Sequence, residues 1–132
     1  MATWGPGTFE NDIAAAFVHA IIARGDLEIV TRALVIDADD IIDADVGQAA
    51  MVAAEIIAAL RGKASKSFPK ELTRWVVRQP KPDAKLLKRA RRALKLCAGK
   101  TNAENSELRQ LWEGRLKEWS IPIRDLWGRL KA

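Results

Sequence analysis

The stretch VGQAAMVAAEIIAALRG, residues 46–62, decides the fold. Only Gln48 and Glu55 interrupt its apolar interior, and their seven-residue spacing places both on one stripe of a helix. Alanines elsewhere on the surface of this helix let neighbouring helices approach closely. The pattern predicts a central third helix over Val46–Arg61 that ends at Gly62, because glycine readily adopts the left-handed backbone of a helix end.

The sequence before this stretch also has helical periodicity. Asn11 and Asp12 are good cap residues, so a first helix is predicted from there to Gly25. This helix is apolar on most sides, and we expect it to be central and buried together with the third helix. Residues 27–36 are rich in β-branched side chains, which makes a strand the alternative, but their apolar residues recur at a helical spacing that favours a helix.

Proline and glycine divide the second half of the chain. A short helix over Glu71–Arg78 is predicted to end at QPKPD, residues 79–83, because proline cannot continue a helix. A fifth helix is predicted over Ala84–Ala98, before Gly99. Two C-terminal helices, the second capped by Ser120, are predicted over Ser106–Trp119 and Ile121–Leu130.

These elements predict an all-α fold, a single compact domain over residues 1–132 with six or seven helices and an Ala-rich central helix pair. The single cysteine excludes an intrachain disulfide and fits a reducing compartment. The sequence contains neither a signal peptide nor an apolar run of the roughly 20 residues that a membrane span needs. We therefore expect a cytoplasmic protein without a membrane partner.

The charge is divided unevenly between the two halves of the chain. Residues 1–60 carry ten acidic and two basic side chains, a net charge of −8. Residues 61–132 carry seven acidic and twenty basic side chains, a net charge of +13. Such asymmetry indicates an interaction surface, either for an anionic partner or between the two halves themselves.

The sharpest cationic feature is KLLKRARRALK, residues 85–95. At about 100° of rotation per residue, its apolar side chains fall on one side of a helix and its cations on the other. We call these cations the basic face: Lys85, Lys88, Arg89, Arg91, Arg92 and Lys95. Such a face is typical of proteins that bind nucleic-acid phosphates without sequence preference. The alternative is an ordinary solvated helix face, since no helix-turn-helix or zinc-ligand pattern accompanies it.

The acidic stretch DADDIIDADVG, residues 37–47, matches part of a calcium-binding loop. An EF-hand loop needs a glycine at its sixth position and a glutamate at its twelfth. Neither is present whether the count begins at Asp37 or at Asp43. We interpret the stretch as a solvated turn whose aspartates favour the N-terminus of the third helix, and we expect no metal site.

No catalytic set is recognisable in the sequence. His19 lies in an apolar helix, where a packed side chain is the commoner role. Cys97 falls on the apolar side of its helix, so we expect it to be buried and unreactive. No glycine-rich phosphate loop follows a strand, and the five tryptophans are expected to be core residues. We therefore expect no cofactor and assign no catalytic residue.

The N-terminal stretch WGPGTFEND, residues 4–12, has the pattern W-G-x-G-x-F-x-N-D through Trp4, Gly5, Gly7, Phe9, Asn11 and Asp12. Together with AAMVAAEIIAALRGK (49–63) and NSELRQLWE (105–113), it makes the chain resemble the bacterial domain of unknown function (DUF) family 4259 over most of its length. Members commonly have a second aspartate after Asp12 and a tryptophan in the first helix, where this chain has Ile13 and Phe17. The resemblance implies no activity.

The same stretch is expected to lock the chain end onto the helices. Gly5 and Gly7 would take positive φ angles, so that Trp4 and Phe9 pack against the third helix. Glu55 is expected to be buried and to accept hydrogen bonds from this N-terminal turn. The alternative is a ligand pocket formed by Glu10, Asn11, Asp12, His19 and Glu55.

Three classes of function follow from the sequence. The leading interpretation is a small protein–protein interaction or regulatory module that acts on a protein partner through its charged faces. The alternative is a nucleic-acid binder without sequence specificity that uses the basic face. An enzyme with an unrecognised carboxylate and histidine site comes third. We expect a monomer or a weak homodimer.

Overall fold

Local capping groups set where the longer helices begin and end. The structure, a computed structural model, describes residues 2–131. Helix α1 (Asp12–Arg24) begins after Asn11, whose side chain accepts a hydrogen bond from the amide of Ala14. It ends at Gly25, which has a left-handed backbone. Both boundaries agree with the sequence prediction.

The remaining helices follow in chain order: α2 (Glu28–Ala33), α3 (Ala44–Leu60), α4 (Thr73–Val77), α5 (Ala84–Ala98), α6 (Glu107–Leu111) and α7 (Leu116–Lys131). Short 3₁₀ turns lie at Lys70–Leu72, Ala103–Asn105 and Glu113–Arg115. The predicted all-α fold is confirmed, because the described residues form seven α-helices and no strand, and residues 27–36 begin as α2. None of these helices has both the length and the apolar character needed to cross a membrane.

Helix α3 occupies the centre of the fold, as the sequence predicts. Every residue from Ala50 to Leu60 is buried, and α3 contacts all the other α-helices in the described chain. Small residues allow this close packing. A Cβ atom built on Gly47, for example, would lie 3.5 Å from the Cβ of Leu108 in α6. The largest contact is with α5, whose buried residues include Ala90, Ala93 and Cys97.

Helix α1 is less central than the sequence predicts. It buries one face, formed by Ala14, Val18 and Ile21, whereas Ile22 is 47% exposed and His19 is also exposed. Alanine side chains are short, so an alanine-rich helix can leave one side in solvent at little cost. Helix α5, rather than α1, is therefore the main partner of α3.

Helix α7 is continuous, and the predicted break at Ser120 is wrong. Ser120 lies inside the helix, where its hydroxyl donates to the carbonyl of Lys117 at 2.9 Å. Pro122 is also inside the helix, and because it has no N–H it leaves the carbonyl of Glu118 without its helical partner. The helix continues because one of its faces is buried along its whole length, through Trp119, Ile123, Leu126 and Leu130.

Two arginines hold the end of α7. Arg61 and Arg91 each donate to the carbonyl of Leu130, at 2.9 and 3.1 Å. Cations in this position satisfy the last carbonyls of a helix and interact favourably with its dipole. Helices α5 and α7 run antiparallel, because Arg91 meets Leu130 while Ala98, further along α5, lies beside Ile123.

We expect Gly99→Ala to destabilise the fold more than Gly25→Ala. Both glycines have left-handed backbones, with φ of 71° and 74°, which cost any other residue about 1–2 kcal/mol. At Gly99 an added Cβ would also lie 2.5 Å from the Cδ of Arg109 and 3.2 Å from the Cα of Ala103, whereas at Gly25 nothing lies within 4 Å. Urea unfolding followed by circular dichroism measures both losses, and equal losses would contradict the crowding at Gly99.

Cys97 is expected to resist thiol reagents in the folded protein. Its predicted burial is confirmed, and burial raises the pKa of the thiol to about 12, so the reactive thiolate is scarce near neutral pH. Labelling with a chromogenic disulfide should begin only as denaturant unfolds the chain. Fast labelling in buffer alone would mean that α5 separates from α3 without global unfolding.

Candidate functional site

The N-terminal turn is tied to the start of α1. The amide of Trp4 donates to the carbonyl of Glu10 at 2.9 Å. Asp12 and Ala2 exchange two hydrogen bonds, one from the amide of Asp12 to the carbonyl of Ala2 and one from the amide of Ala2 to the carboxylate of Asp12. These hydrogen bonds join the turn to the start of the first helix.

Gln48, and not Glu55, fixes this turn to α3. The side-chain amide of Gln48 donates to the carbonyl of Thr8 at 2.6 Å, and both residues are buried. The prediction that Glu55 accepts hydrogen bonds from the turn is wrong, because the turn meets α3 about two helical turns earlier. Both residues give the same signal in the sequence, a polar side chain in an apolar helix, and this signal does not say which one faces the turn.

The aromatic residues of the turn differ from the prediction. Trp4 does not fold back onto α3 but is 64% exposed. Phe9 is partly buried at the edge of the core, where its ring packs edge to face against Phe68 with the centroids 5.8 Å apart. The turn is therefore held by hydrogen bonds and by Phe9, and the Trp4 indole is left at the surface.

The two glycines of the turn make room for a carboxylate. Neither Gly5 nor Gly7 has the predicted positive φ. Instead, the Glu10 carboxylate lies directly against both glycines and accepts a hydrogen bond from the amide of Gly7 at 2.9 Å. A Cβ atom at either position would displace this carboxylate.

Glu55 is buried as predicted, at 2% exposure, and its partner is Arg129 of α7. The guanidinium donates to both carboxylate oxygens at 2.9 Å, and it also binds Asp125 and the carbonyl of Lys63. Burial raises the pKa of Glu55, and Arg129 offsets part of this effect. The pair joins the centre of the fold to its last helix.

An open cleft of about 790 Å³ separates the N-terminal turn from α7. Its acidic side chains outnumber its basic ones, since Glu10, Glu55, Glu118 and Asp125 line it together with Lys66 and Arg129. Of the five residues predicted as a polar site, the cleft contains Glu10 and Glu55. Asn11 and Asp12 hold the start of α1 instead, and His19 is exposed on α1.

The basic face of α5 divides into used and unused cations. Arg91 and Arg92 serve the fold, because they donate to the carbonyls of Leu130 and Ile36 at 3.1 and 2.9 Å. The other four are exposed, and their side chains form no hydrogen bond or ion pair with residues 2–131. We call them the free cations of α5: Lys85, Lys88, Arg89 and Lys95.

The stability of the helix explains only one of the free cations, Lys95, which lies in the last turn, where the helix dipole favours a cation. α5 contains no acidic residue. Lys85 and Arg89 are four residues apart, as are Lys88 and Arg92, and like charges at this spacing destabilise a helix by about 0.2–0.5 kcal/mol per pair. Lys85 also lies in the first turn, where the helix dipole disfavours a cation.

Helix α7 separates the acidic cleft from a second cationic surface. At about 100° per residue, Glu118 and Asp125 fall on one side of its buried face, whereas Lys117 and Arg124 fall on the other side. On the cationic side, α7 and the end of α5 enclose two adjoining hollows of about 290 and 390 Å³, which we name the α5–α7 groove.

The charged side chains that line the α5–α7 groove are all basic: Lys95, Lys100, Arg109, Lys117 and Arg124. The sequence did not predict this groove, because its cations come from separate segments that only the fold brings together. The one signal in the sequence was the net charge of the second half of the chain.

The aspartates of residues 37–45 are exposed, and this stretch begins beside the basic face, where Arg92 binds the carbonyl of Ile36. No ion pair joins these aspartates to α5 in the described part of the chain. Asp43 and Asp45 lie at the N-terminus of α3, as predicted. Within residues 2–131, no group of three histidine, cysteine or acidic side chains is placed to hold a metal ion.

A family model described as "Domain of unknown function (DUF4259)" matches residues 2–121. The match covers the N-terminal turn, α3 and the basic face, and it ends inside α7, before Arg124 and Arg129. No curated protein and no solved structure matches the chain.

Arg129→Met is expected to lower the free energy of unfolding by about 3–5 kcal/mol, because it leaves the Glu55 carboxylate buried without its partner. The loss should shrink as the pH falls. Because burial raises the folded-state pKa of Glu55, the folded chain holds the proton more tightly than the unfolded chain does, and protonation removes the buried charge. Chemical denaturation across a pH series measures both effects.

The matched control is Arg32→Met, which breaks the exposed Arg32–Glu28 pair and should cost about 0.5 kcal/mol or less at every pH. Glu55→Gln should cost less than Arg129→Met, because Arg129 keeps Asp125 and the carbonyl of Lys63. A pH-independent loss in Arg129→Met would show that Glu55 does not bear the cost.

Proposed function

The chain belongs to the DUF4259 family, a domain of unknown function, and we propose from its geometry that it binds nucleic acid through the basic face, without sequence preference. The observation that carries this proposal is the absence of any acidic partner, within residues 2–131, for the four free cations of α5. Neither the stability nor the packing of the helix accounts for Lys85, Lys88 and Arg89. An external anion would relieve their mutual repulsion.

The spacing of these cations supports a phosphate backbone as the anion. Residues 85–95 extend over about 15 Å of helix. One strand of a B-form duplex carries a phosphate about every 3.4 Å of the helix axis, so phosphates are available along this whole length. The contacts would go to phosphates alone, so they would carry no sequence preference.

A protein partner with an acidic surface is favoured less. Three of the four free cations are lysines, and lysine is depleted in protein–protein interfaces relative to the remaining protein surface.

The test is fluorescence anisotropy with labelled DNA and RNA of random sequence across a salt series. The triple variant Lys85→Gln, Lys88→Gln and Arg89→Gln should weaken binding and reduce the slope of log affinity against log salt by about 2 for a single strand. Arg91 and Arg92 are left unchanged because they hold neighbouring segments. Circular dichroism should show unchanged helix content.

The matched control removes three charges from exposed positions elsewhere, by Lys70→Gln, Arg74→Gln and Arg78→Gln. It should retain most of the affinity. Equal losses in the two triple variants would mean that net charge alone drives binding, which contradicts a role for the basic face. Binding to polyglutamate without binding to nucleic acid would also contradict the proposal and would indicate an acidic protein partner.

A further inference from the structure

The α5–α7 groove extends the basic face of α5 around its last turn. Lys95 belongs to both surfaces, so the cations of the two are continuous. Lys100 and Arg124 line both hollows of the groove and therefore stand at their junction. A strand bound along the basic face would meet this groove at its end.

An aromatic ring stands beside these cations. Trp127 lines the 290 Å³ hollow together with the apolar side chains of Leu94 and Ile123, and it is only half-buried. Trp75, Trp112 and Trp119 are buried, and Trp4 is exposed in the N-terminal turn. Of the tryptophans, Trp127 is the one that combines an accessible surface with a position among the cations of the groove.

The last turn of α5 does not repel an anion bound at this position. The C-terminus of a helix carries a partial negative charge on its unpaired carbonyls. Here the amide of Lys100 donates to the carbonyl of Lys95. The amide of Gly99 and the side-chain amide of Asn102 both donate to the carbonyl of Leu96. The last two carbonyls of α5 also accept hydrogen bonds. The Ser106 hydroxyl donates to the carbonyl of Cys97 at 2.6 Å, and the Arg109 guanidinium donates to the carbonyl of Ala98 at 3.1 Å.

We infer that the α5–α7 groove binds single-stranded nucleic acid, with one base against Trp127 and the flanking phosphates on Lys95, Lys100 and Arg124. The inference rests on the proposed function and narrows its substrate class. A duplex offers the groove only its phosphates, because its bases are paired and stacked, whereas the bases of a single strand can stack on an aromatic ring. Stacking of this kind is tolerant of sequence and agrees with a face that contacts phosphates.

The experiment compares the affinity of the full chain for a labelled single strand with its affinity for a duplex of the same length, at the same salt concentration. Trp127→Leu should weaken single-strand binding roughly tenfold, which is within the range for loss of one stacked base. It should leave duplex and heparin binding unchanged. The salt slope should also stay the same, because no cation is lost. Trp127→Phe should restore part of the affinity, since it retains a ring.

Two control variants distinguish the loss of base stacking from a general effect of removing an exposed tryptophan and from the loss of a charge. Trp4→Leu removes the exposed tryptophan of the N-terminal turn and should leave single-strand affinity unchanged. Arg124→Gln should weaken both substrates and reduce the single-strand salt slope by about 0.7. If Trp127→Leu does not fold, Trp127→Phe gives a second measurement, because it removes the tryptophan fluorophore but keeps an aromatic ring. The single strand should quench the tryptophan fluorescence of the unchanged protein, and this quenching should be lost in Trp127→Phe.

The outcomes distinguish this inference from the function on which it rests. If neither substrate binds at low salt, the proposed function fails. If the single strand and the duplex bind equally and Trp127→Leu weakens neither, the proposed function stands and the groove inference is overturned. Tighter single-strand binding that depends on Trp127 supports both.

Discussion

The central position of α3 constrains the rest of the molecule. All the other α-helices in residues 2–131 contact it, so its polar side chains must find partners inside the fold. It has two such side chains in its buried interior, and each binds one end of the chain. Gln48 holds the N-terminal turn through the carbonyl of Thr8, and Glu55 holds the last helix through Arg129. Two polar residues, seven positions apart, thus place both chain ends on one helix.

The Glu55–Arg129 pair acts together with the buried apolar face of α7 to fix which way this helix faces. A buried ion pair seldom adds net stability over an apolar pair of similar size, so its main effect here is on geometry. With Arg129 turned towards α3, Asp125 and Glu118 face the cleft beside the N-terminal turn. Lys117 and Arg124 then face the end of α5 and complete the α5–α7 groove. The separation of acidic and basic surfaces along α7 therefore agrees with the rotation that the ion pair and the buried face give this helix.

Sequence reasoning succeeded where the determinant was local. Asn11 and Gly25 bound α1, and Gly99 ends α5, at the predicted positions, because a cap acts within a single turn. It failed at Ser120, because burial of one continuous face outweighed a favourable cap residue and a proline. The burial of Glu55 was predictable from its isolation among apolar residues. Its partner lies 74 positions away, and no periodicity relates the two. The α5–α7 groove could not be predicted for the same reason, since its cations meet only after folding.

The unequal charge of the two halves does not serve to hold them together. If it did, many ion pairs would join residues 1–60 to residues 61–132, yet in the described chain only Glu55–Arg129 does so. The halves are joined instead by apolar packing of α3 on α5. At physiological salt, a charge acts over only about 8 Å, so the free cations of α5 exert little effect on distant parts of the fold. Their charge can act mainly on what touches them directly, and no carboxylate of the described chain forms an ion pair with them. The free cations of α5 thus form a surface that the fold tolerates without using, and binding to an external anion can account for such a surface.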